Sequence, residues 1–422
     1  MLSKEDNELL SRVGPGTPMG SFMRRFWVPA MRAEALEPGG DPRKLRLLGQ
    51  DLVAFRGHDG RVGVLDEGCP HRGVSLTLAR NQDCALTCIF HGWKIDADGN
   101  VIDVPAEPAE RRAQFAGRVK AKSYPAHDQA GVIWVWLGGG APPALPSFPW
   151  LNLPAEHIGS RVGIIHANWL NGLEGQLDSA HVGILHQDWV KILPGQVADL
   201  ERAAFDLSPR FEFEEKPYGY REAAVRNSKE GGLYVRIREF VAPWYSFIPS
   251  FGGLDSGHLV TMSIPIDDEH SVQWDLFYNP ITPLMRRNSP DDGRDQNDLA
   301  ADIGELATHF DQDRARMRRG ESFSGFPILR HEDYAVAMAQ GVFANREKEQ
   351  LGSSDVPVVR ARRYLVNAAR DEKAGDRVAA AAATELGRVR GFSDLIAKDA
   401  DWRDLPTYGA DAYAGHALVP AE

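Results

Sequence analysis

Short apolar runs separated by turn residues fill the first third of the chain. Leu45–Leu48 and Leu52–Phe55 are followed by a His58-Asp59-Gly60 turn signal and then by Val62–Leu65. Asp98-Gly99-Asn100 separates Trp93–Ile95 from Val101–Asp103 as a second hairpin signal, and Val132–Trp136 closes the run. These features predict a small antiparallel β domain. Gly139–Pro154 is rich in Gly and Pro and reads as a linker.

Beyond it the pattern changes. A helix is expected from about Asn168 through Leu185, and strands return at Arg210–Phe213, Leu233–Val241 and Val272–Tyr278. In the last of these Val272, Trp274, Leu276 and Tyr278 alternate with polar positions, the mark of a half-buried face. The charged stretch Met285–Arg319 reads as an exposed loop leading into a helix. From Glu332 onward the pattern is mostly helical, Asp376–Lys398 included. The expected fold class is α+β: a small β domain over 25–142, and a larger domain over 143–422 whose antiparallel sheet is flanked by helices. Residues 1–24 are expected to pack on the larger domain.

Composition narrows the functional classes. Hydrophobic content of 43% and charged content of 25% are those of a globular protein. A net charge of −11 argues against a nucleic-acid partner, which needs clustered Lys and Arg. The polar start, Met1-Leu2-Ser3-Lys4-Glu5-Asp6, has no apolar core of a signal peptide, and Ala130–Leu137 is too short to span a bilayer. Three cysteines, Cys69, Cys84 and Cys88, all within twenty residues, do not make a disulfide framework. They point to a metal or redox site in a reducing compartment, so a cytoplasmic location is expected.

Cys69-Pro70-His71 and Cys88-Ile89-Phe90-His91 each offer a thiolate and an imidazole from one loop. Two Cys on one iron and two His on the other would build a two-iron cluster whose potential lies above that of an all-cysteine cluster. A structural zinc site is the alternative, but zinc knuckles usually pair like with like. Cys84 has no partnering His and is expected to be a small buried side chain.

A second constellation is Glu174-x₃-Asp178-x₂-His181-x₄-His186. The first three fall on one helical face, and such a polar stripe is costly to bury unless paired or metal-bound. His181 and His186, five apart, can reach one metal only if the helix ends or bulges, so a distortion is expected near Leu185. Two imidazoles and one carboxylate leave open positions on an iron, as in non-haem Fe(II) oxygenases. The carboxylate could be Asp178, Glu174 or a distant one.

Taken together, the two constellations resemble the Rieske non-haem iron oxygenases, and more narrowly the oxygenase component of the phthalate-dioxygenase type. Arg12-Val13-Gly14-Pro15-Gly16-Thr17-Pro18-Met19-Gly20, Asn168-Trp169-Leu170 and Leu351-Gly352-Ser353-Ser354-Asp355 fit that branch. The resemblance implies that Cys69, His71, Cys88 and His91 hold a [2Fe–2S] cluster and that His181 and His186 hold Fe(II). It implies a third ligand in Arg330-His331-Glu332-Asp333-Tyr334, with Asp333 chosen over Glu332 and Asp355. It makes Asp178 a bridging carboxylate between an iron-ligating His and His91 of a neighbouring subunit, in a homotrimer or stacked trimers.

The implied activity uses O₂ and electrons from a separate NAD(P)H-dependent flavin or iron–sulfur reductase to hydroxylate an aromatic carboxylate. No Gly-x-Gly-x-x-Gly follows a strand, so the reductase is a different polypeptide. Strand arginines that could meet the substrate acid are Arg210, Arg221, Arg226, Arg236 and Arg238, of which Arg210 and Arg236 are selected. The rival readings are an O-demethylase with the same iron chemistry and an electron carrier with no second metal.

Overall fold

The computed structural model describes residues 2–192, 198–250, 257–284 and 303–406. They divide into two compact units, one formed by Arg24–Pro143 and the other by the described residues before and after it.

The smaller unit holds three antiparallel sheets. Trp27–Arg32, Val132–Trp136 and Ala126–Gln129 form one, Arg43–Leu47, Gln50–Arg56 and Val62–Asp66 the second, and Arg80–Gln82, Ala85–Thr87, Lys94–Asp96 and Val101–Asp103 the third. The first hairpin turns through Leu48 (φ 50°) and Gly49 (φ 74°), the doubly left-handed geometry that matches strand twist. At the Asp98-Gly99 turn a Cβ on Gly99 would lie 2.3 Å from the Ala121 carbonyl, so only glycine fits. Val53, Phe55, Leu65, Leu86 and Ile95 form a core that also encloses Cys69, Cys88 and Trp93.

The larger unit is built on one eight-stranded antiparallel sheet. Its strands are β1 (Ile158–Ile165), β2 (Arg210–Lys216), β3 (Gly219–Asn227), β4 (Leu233–Val241), β5 (Tyr245–Ile248), β6 (His258–Pro265), β7 (Ser271–Tyr278) and β8 (Phe392–Ile396). They are ordered β1-β7-β6-β5-β4-β3-β2, and one edge of β4 is shared between β5 and β8. One face packs Val225, Val235 and Ile237 against Phe392 and Trp402. Over the other face lie α1 (Trp169–Leu177), α2 (Val182–Leu185), α3 (Gln187–Ile192) and α4 (Leu329–Ala339). Among the described residues, no helix is long and apolar enough to cross a membrane.

Two expectations are corrected. The helix expected over Asn168–Leu185 stops at Leu177, where Asp178 turns extended (ψ 125°), and restarts as the single turn α2. The expected distortion near Leu185 is present too, since His186 (ψ 12°) separates α2 from α3. The helix expected through Lys398 ends by Glu385, and Phe392–Ile396 instead becomes strand β8, because pairing with Leu233–Ile237 overrides local propensity. Of Met285–Arg319, the part before residue 303 lies outside the described residues. The rest holds a 3₁₀ segment and a short helix, Arg314–Arg318.

Candidate metal centres and cavity

Cys69 and Cys88 occupy two loops with the same frame. The Cys69 N–H donates to the Val74 carbonyl (2.8 Å) and the Gly73 N–H donates back to the Cys69 carbonyl (2.8 Å). Cys88 and Gly92 repeat this with Trp93 at 2.9 Å in both bonds. Gly73 and Gly92 share a φ of 72°, which the return bond requires and other residues resist. The rings of His71 and His91 meet edge-on at 4.6 Å, and Trp93 stacks on His71 at 4.6 Å.

Burial, reinforced by neighbouring Cys88, pushes the Cys69 thiol up to about 11. The buried Nδ1 of His91 has no hydrogen-bond partner among the described residues. A thiol that resists ionising on its own, beside an imidazole nitrogen that no described residue engages, fits a metal cluster that supplies the missing positive charge. Cys84 is only half-buried, contrary to expectation, because it sits in a left-handed turn (φ 58°) between two strands.

In the larger unit His181, His186 and Asp333 converge, with one ligand atom of each within 4.8 Å of the others. The Nε2 of His186 is 3.3 Å from Asp333 Oδ1 and that of His181 is 3.7 Å away. Both Nδ1 atoms point the other way. His186 Nδ1 meets Glu332 at 2.6 Å, and His181 Nδ1 lies 3.4 Å from Asp178. Glu332, one of the alternatives considered for the third ligand, is thus turned towards the back of His186, where Ser324 Oγ–H also donates to it. Asp355 is bonded to the Gly352 N–H.

Burial opposes charge on His186, but Asp333 and Glu332 outweigh it and raise its pKa to about 9. Burial likewise opposes charge on Asp333, yet His186 and His181 hold it below the usual carboxylate range. Two Nε2 lone pairs and one carboxylate oxygen around a common point are a donor set suited to Fe(II).

The break after Leu177 that frees Asp178 is held by arginines from the sheet. Arg238 donates to the carbonyls of Gln176 (3.1 Å) and Leu177 (2.5 Å) and pairs with Glu222 at 2.6 Å. Arg226 donates to the Ser179 carbonyl at 2.8 Å. These cations satisfy carbonyls that a helix C-terminus leaves open and complement its dipole. Asp178 then accepts from the Ala180 N–H at 2.7 Å, closing a local turn that carries His181 forward.

Glu174, considered as part of the metal-facing stripe, is not in the site. It is buried between Arg346 and Arg362, whose guanidinium groups donate to it at 2.6–3.1 Å and hold its carboxyl below its ordinary range against the opposing effect of burial.

The metal set borders a cavity of about 1300 Å³. Arg236 and Arg238 line it, both buried rather than solvent-facing. Arg236 donates to the Pro249 carbonyl at 3.2 Å. Arg210 is corrected: it pairs in register with Val225, so it projects from the opposite face of the sheet, where it is 68% exposed beside Glu212. Sequence reading also missed Asp275. It lies on the side of β7 taken as polar and outward, whereas that side lines the cavity. Beside it Phe277, Leu259 and Ile248 form an apolar strip across β7, β6 and β5.

Comparison with known proteins agrees with this layout. Residues 26–125 match a Rieske [2Fe-2S] domain, and residues 136–418 match the LigXa C-terminal domain like family. The oxygenase subunit of phthalate 4,5-dioxygenase from Pseudomonas putida is 36% identical over 96% of this chain and 94% of its own. That of 3-chlorobenzoate-3,4-dioxygenase from Comamonas testosteroni is 33% identical over 89% and 90%. Among solved structures, the terminal oxygenase of carbazole 1,9a-dioxygenase from Nocardioides aromaticivorans superposes with a TM-score of 0.57, covering 85% of this chain and 98% of its own at 19% identity.

Proposed function

The chain belongs to the Rieske non-haem iron oxygenases, as an oxygenase component of the aromatic ring-hydroxylating or O-demethylating kind, and from there we propose that it hydroxylates an aromatic carboxylate of the phthalate or benzoate type. The observation that carries the reading is the convergence of His181, His186 and Asp333 on the wall of a cavity that also presents Arg236. In this reading residues 25–142 hold a [2Fe–2S] cluster through Cys69, His71, Cys88 and His91. Residues 143–422 hold Fe(II) through His181, His186 and Asp333. When bound, the ferrous ion supplies O₂ activation and the cluster supplies electrons at a potential raised by its imidazole ligands.

The protein's own groups do the rest. Glu332 and Asp178 keep protons on the Nδ1 atoms of His186 and His181, which leaves each Nε2 free to ligate and more basic. Phe277, Leu259 and Ile248 receive the aromatic ring and keep water from it. Arg236 supplies a cation for the substrate acid, since guanidinium geometry matches a carboxylate. Asp178 also faces His91 of a neighbouring subunit in a homotrimer or stacked trimers, a short bonded route for the electron. The electrons come from a separate NAD(P)H-dependent reductase.

Iron and acid-labile sulfide analysis of anaerobically purified protein tests the reading. About three irons and two sulfides per chain are expected, falling to about two irons in His181→Ala with the visible spectrum unchanged. Two irons in both proteins, even after added Fe(II), would leave only an electron carrier. With reductase and aromatic acids, a cis-diol identifies ring dihydroxylation. Formaldehyde from a methoxylated acid identifies O-demethylation.

A further inference from the structure

The cavity floor has two parallel rows. Arg161, Asp275 and Thr261 stand opposite one another across β1, β7 and β6, and all three line the cavity. The neighbouring row, two residues along each strand, is the apolar strip of Phe277, Leu259 and Ile248. Rows two residues apart lie about 6.7 Å apart. A benzene ring resting on the apolar row therefore brings one ring substituent to hydrogen-bond distance of the polar row.

Most cavity carboxylates are already engaged. Glu174 is held by two arginines, Glu349 by Arg362, Asp178 by His181, Asp355 by the Gly352 N–H, and Asp333 belongs to the metal set. Asp275 differs: it is half-buried and accepts no hydrogen bond from any described residue. Arg161 and Arg330 act on it only through their charges, while Asp333 repels it. Arg161 itself is exposed and lies over the Phe277 ring at 4.9 Å, where solvent screens its charge. A partly desolvated acceptor without a protein donor favours a ligand that brings one and disfavours a ligand that brings a second negative charge.

We infer that Asp275 is a specificity-determining residue, selecting aromatic monocarboxylates that carry a hydroxyl or amino donor over unsubstituted acids and over dicarboxylates. The inference rests on the aromatic-acid reading above and deepens it. Arg236 takes the carboxylate, the apolar row takes the ring, and Asp275 accepts from the ring substituent.

Calorimetric titration of the anaerobic protein, loaded with both metal centres, separates these terms. The probes are benzoate, the three hydroxybenzoates and phthalate, against wild type, Asp275→Asn and Asp275→Leu. Wild type is expected to bind the best hydroxybenzoate about tenfold more tightly than benzoate, and phthalate more weakly than benzoate. Asp275→Leu removes the acceptor and brings the hydroxybenzoate-to-benzoate ratio to about one. Asp275→Asn removes the charge but keeps an acceptor oxygen, so it strengthens phthalate binding about tenfold and leaves the hydroxyl preference. Iron content and the visible spectrum certify that each variant is folded. If wild type binds these acids and both variants keep its ratios within about twofold, the role of Asp275 is overturned and the aromatic-acid reading stands. If wild type binds none of the acids, that reading fails and the inference with it.

Discussion

His186 Nδ1 and Glu332 Oε2 lie 2.6 Å apart, and neither side chain is more than 2% exposed. A carboxylate behind a ligating imidazole fixes its tautomer and raises its basicity, and removing such a partner typically costs about 10- to 100-fold in metal affinity. Glu332→Ala is therefore expected to lower iron affinity by about that factor, measured by chelator competition, with the cluster spectrum unchanged. Glu332→Gln, which keeps an acceptor oxygen, should lose less.

The metal-free site has its own pH signature. The pKa of His186 is raised to about 9 from an ordinary 6.5. The stability from its charged form is fully present below 6.5 and is lost as pH rises through about 9, worth up to about 3 kcal/mol. In chelator-treated protein, the Tm advantage of wild type over His186→Asn should shrink between about pH 6 and about pH 10. A constant difference would mean that the imidazole does not change its charge in that window.

Arg238 joins the sheet to the end of α1 and neutralises Glu222 in the interior. Arg238→Met leaves Glu222 buried and unpaired, at a cost of about 3–5 kcal/mol, and should also lower iron occupancy by loosening the turn at Asp178. Adding Glu222→Met is expected to recover most of the melting temperature without recovering the iron. Recovery of both would show that the carbonyl contacts of Arg238 do not position the ligands.

Glu174→Gln should separate scaffold from site. Losing its charge between Arg346 and Arg362 is expected to destabilise the fold by about 2–4 kcal/mol in denaturant titration. Iron stoichiometry should not change.

The two selected arginines should behave in opposite ways. Arg210→Ala, on the outer face, is expected to change stability by less than about 0.5 kcal/mol and KM for an aromatic acid by no more than about twofold. Arg236→Leu, in the cavity wall, should raise KM about 100-fold, roughly the loss of a charge-assisted hydrogen-bonded pair.

What could be read from the chain follows from how local each signal is. The cysteine and histidine loops were legible because each places its two donors within four residues. His181 and His186 were legible as a pair, but not the break at Asp178, because the groups that hold it, Arg226 and Arg238, come from strands far along the chain. Asp333 was reached through resemblance, since no spacing connects it to His181. The alternation in β7 correctly separated two faces, but period-two patterning does not say what covers the polar one. Asp275 was hidden for that reason, and Arg210 and Arg236 could not be told apart until the register assigned them to opposite faces.

The paired cysteine loops carry one more consequence. Cys69-x-His71 and Cys88-x₂-His91 differ as motifs, yet both loops run five residues from cysteine to glycine and close through the same two backbone bonds. The inequality lies in which rung bears the imidazole, the third in one loop and the fourth in the other. One backbone cast is thus used twice, and the off-step histidines reach a common place from different rungs, their rings meeting edge-on. Exchanging side chains on the free rungs should be tolerated, whereas adding or deleting a single residue in either loop would break its closure.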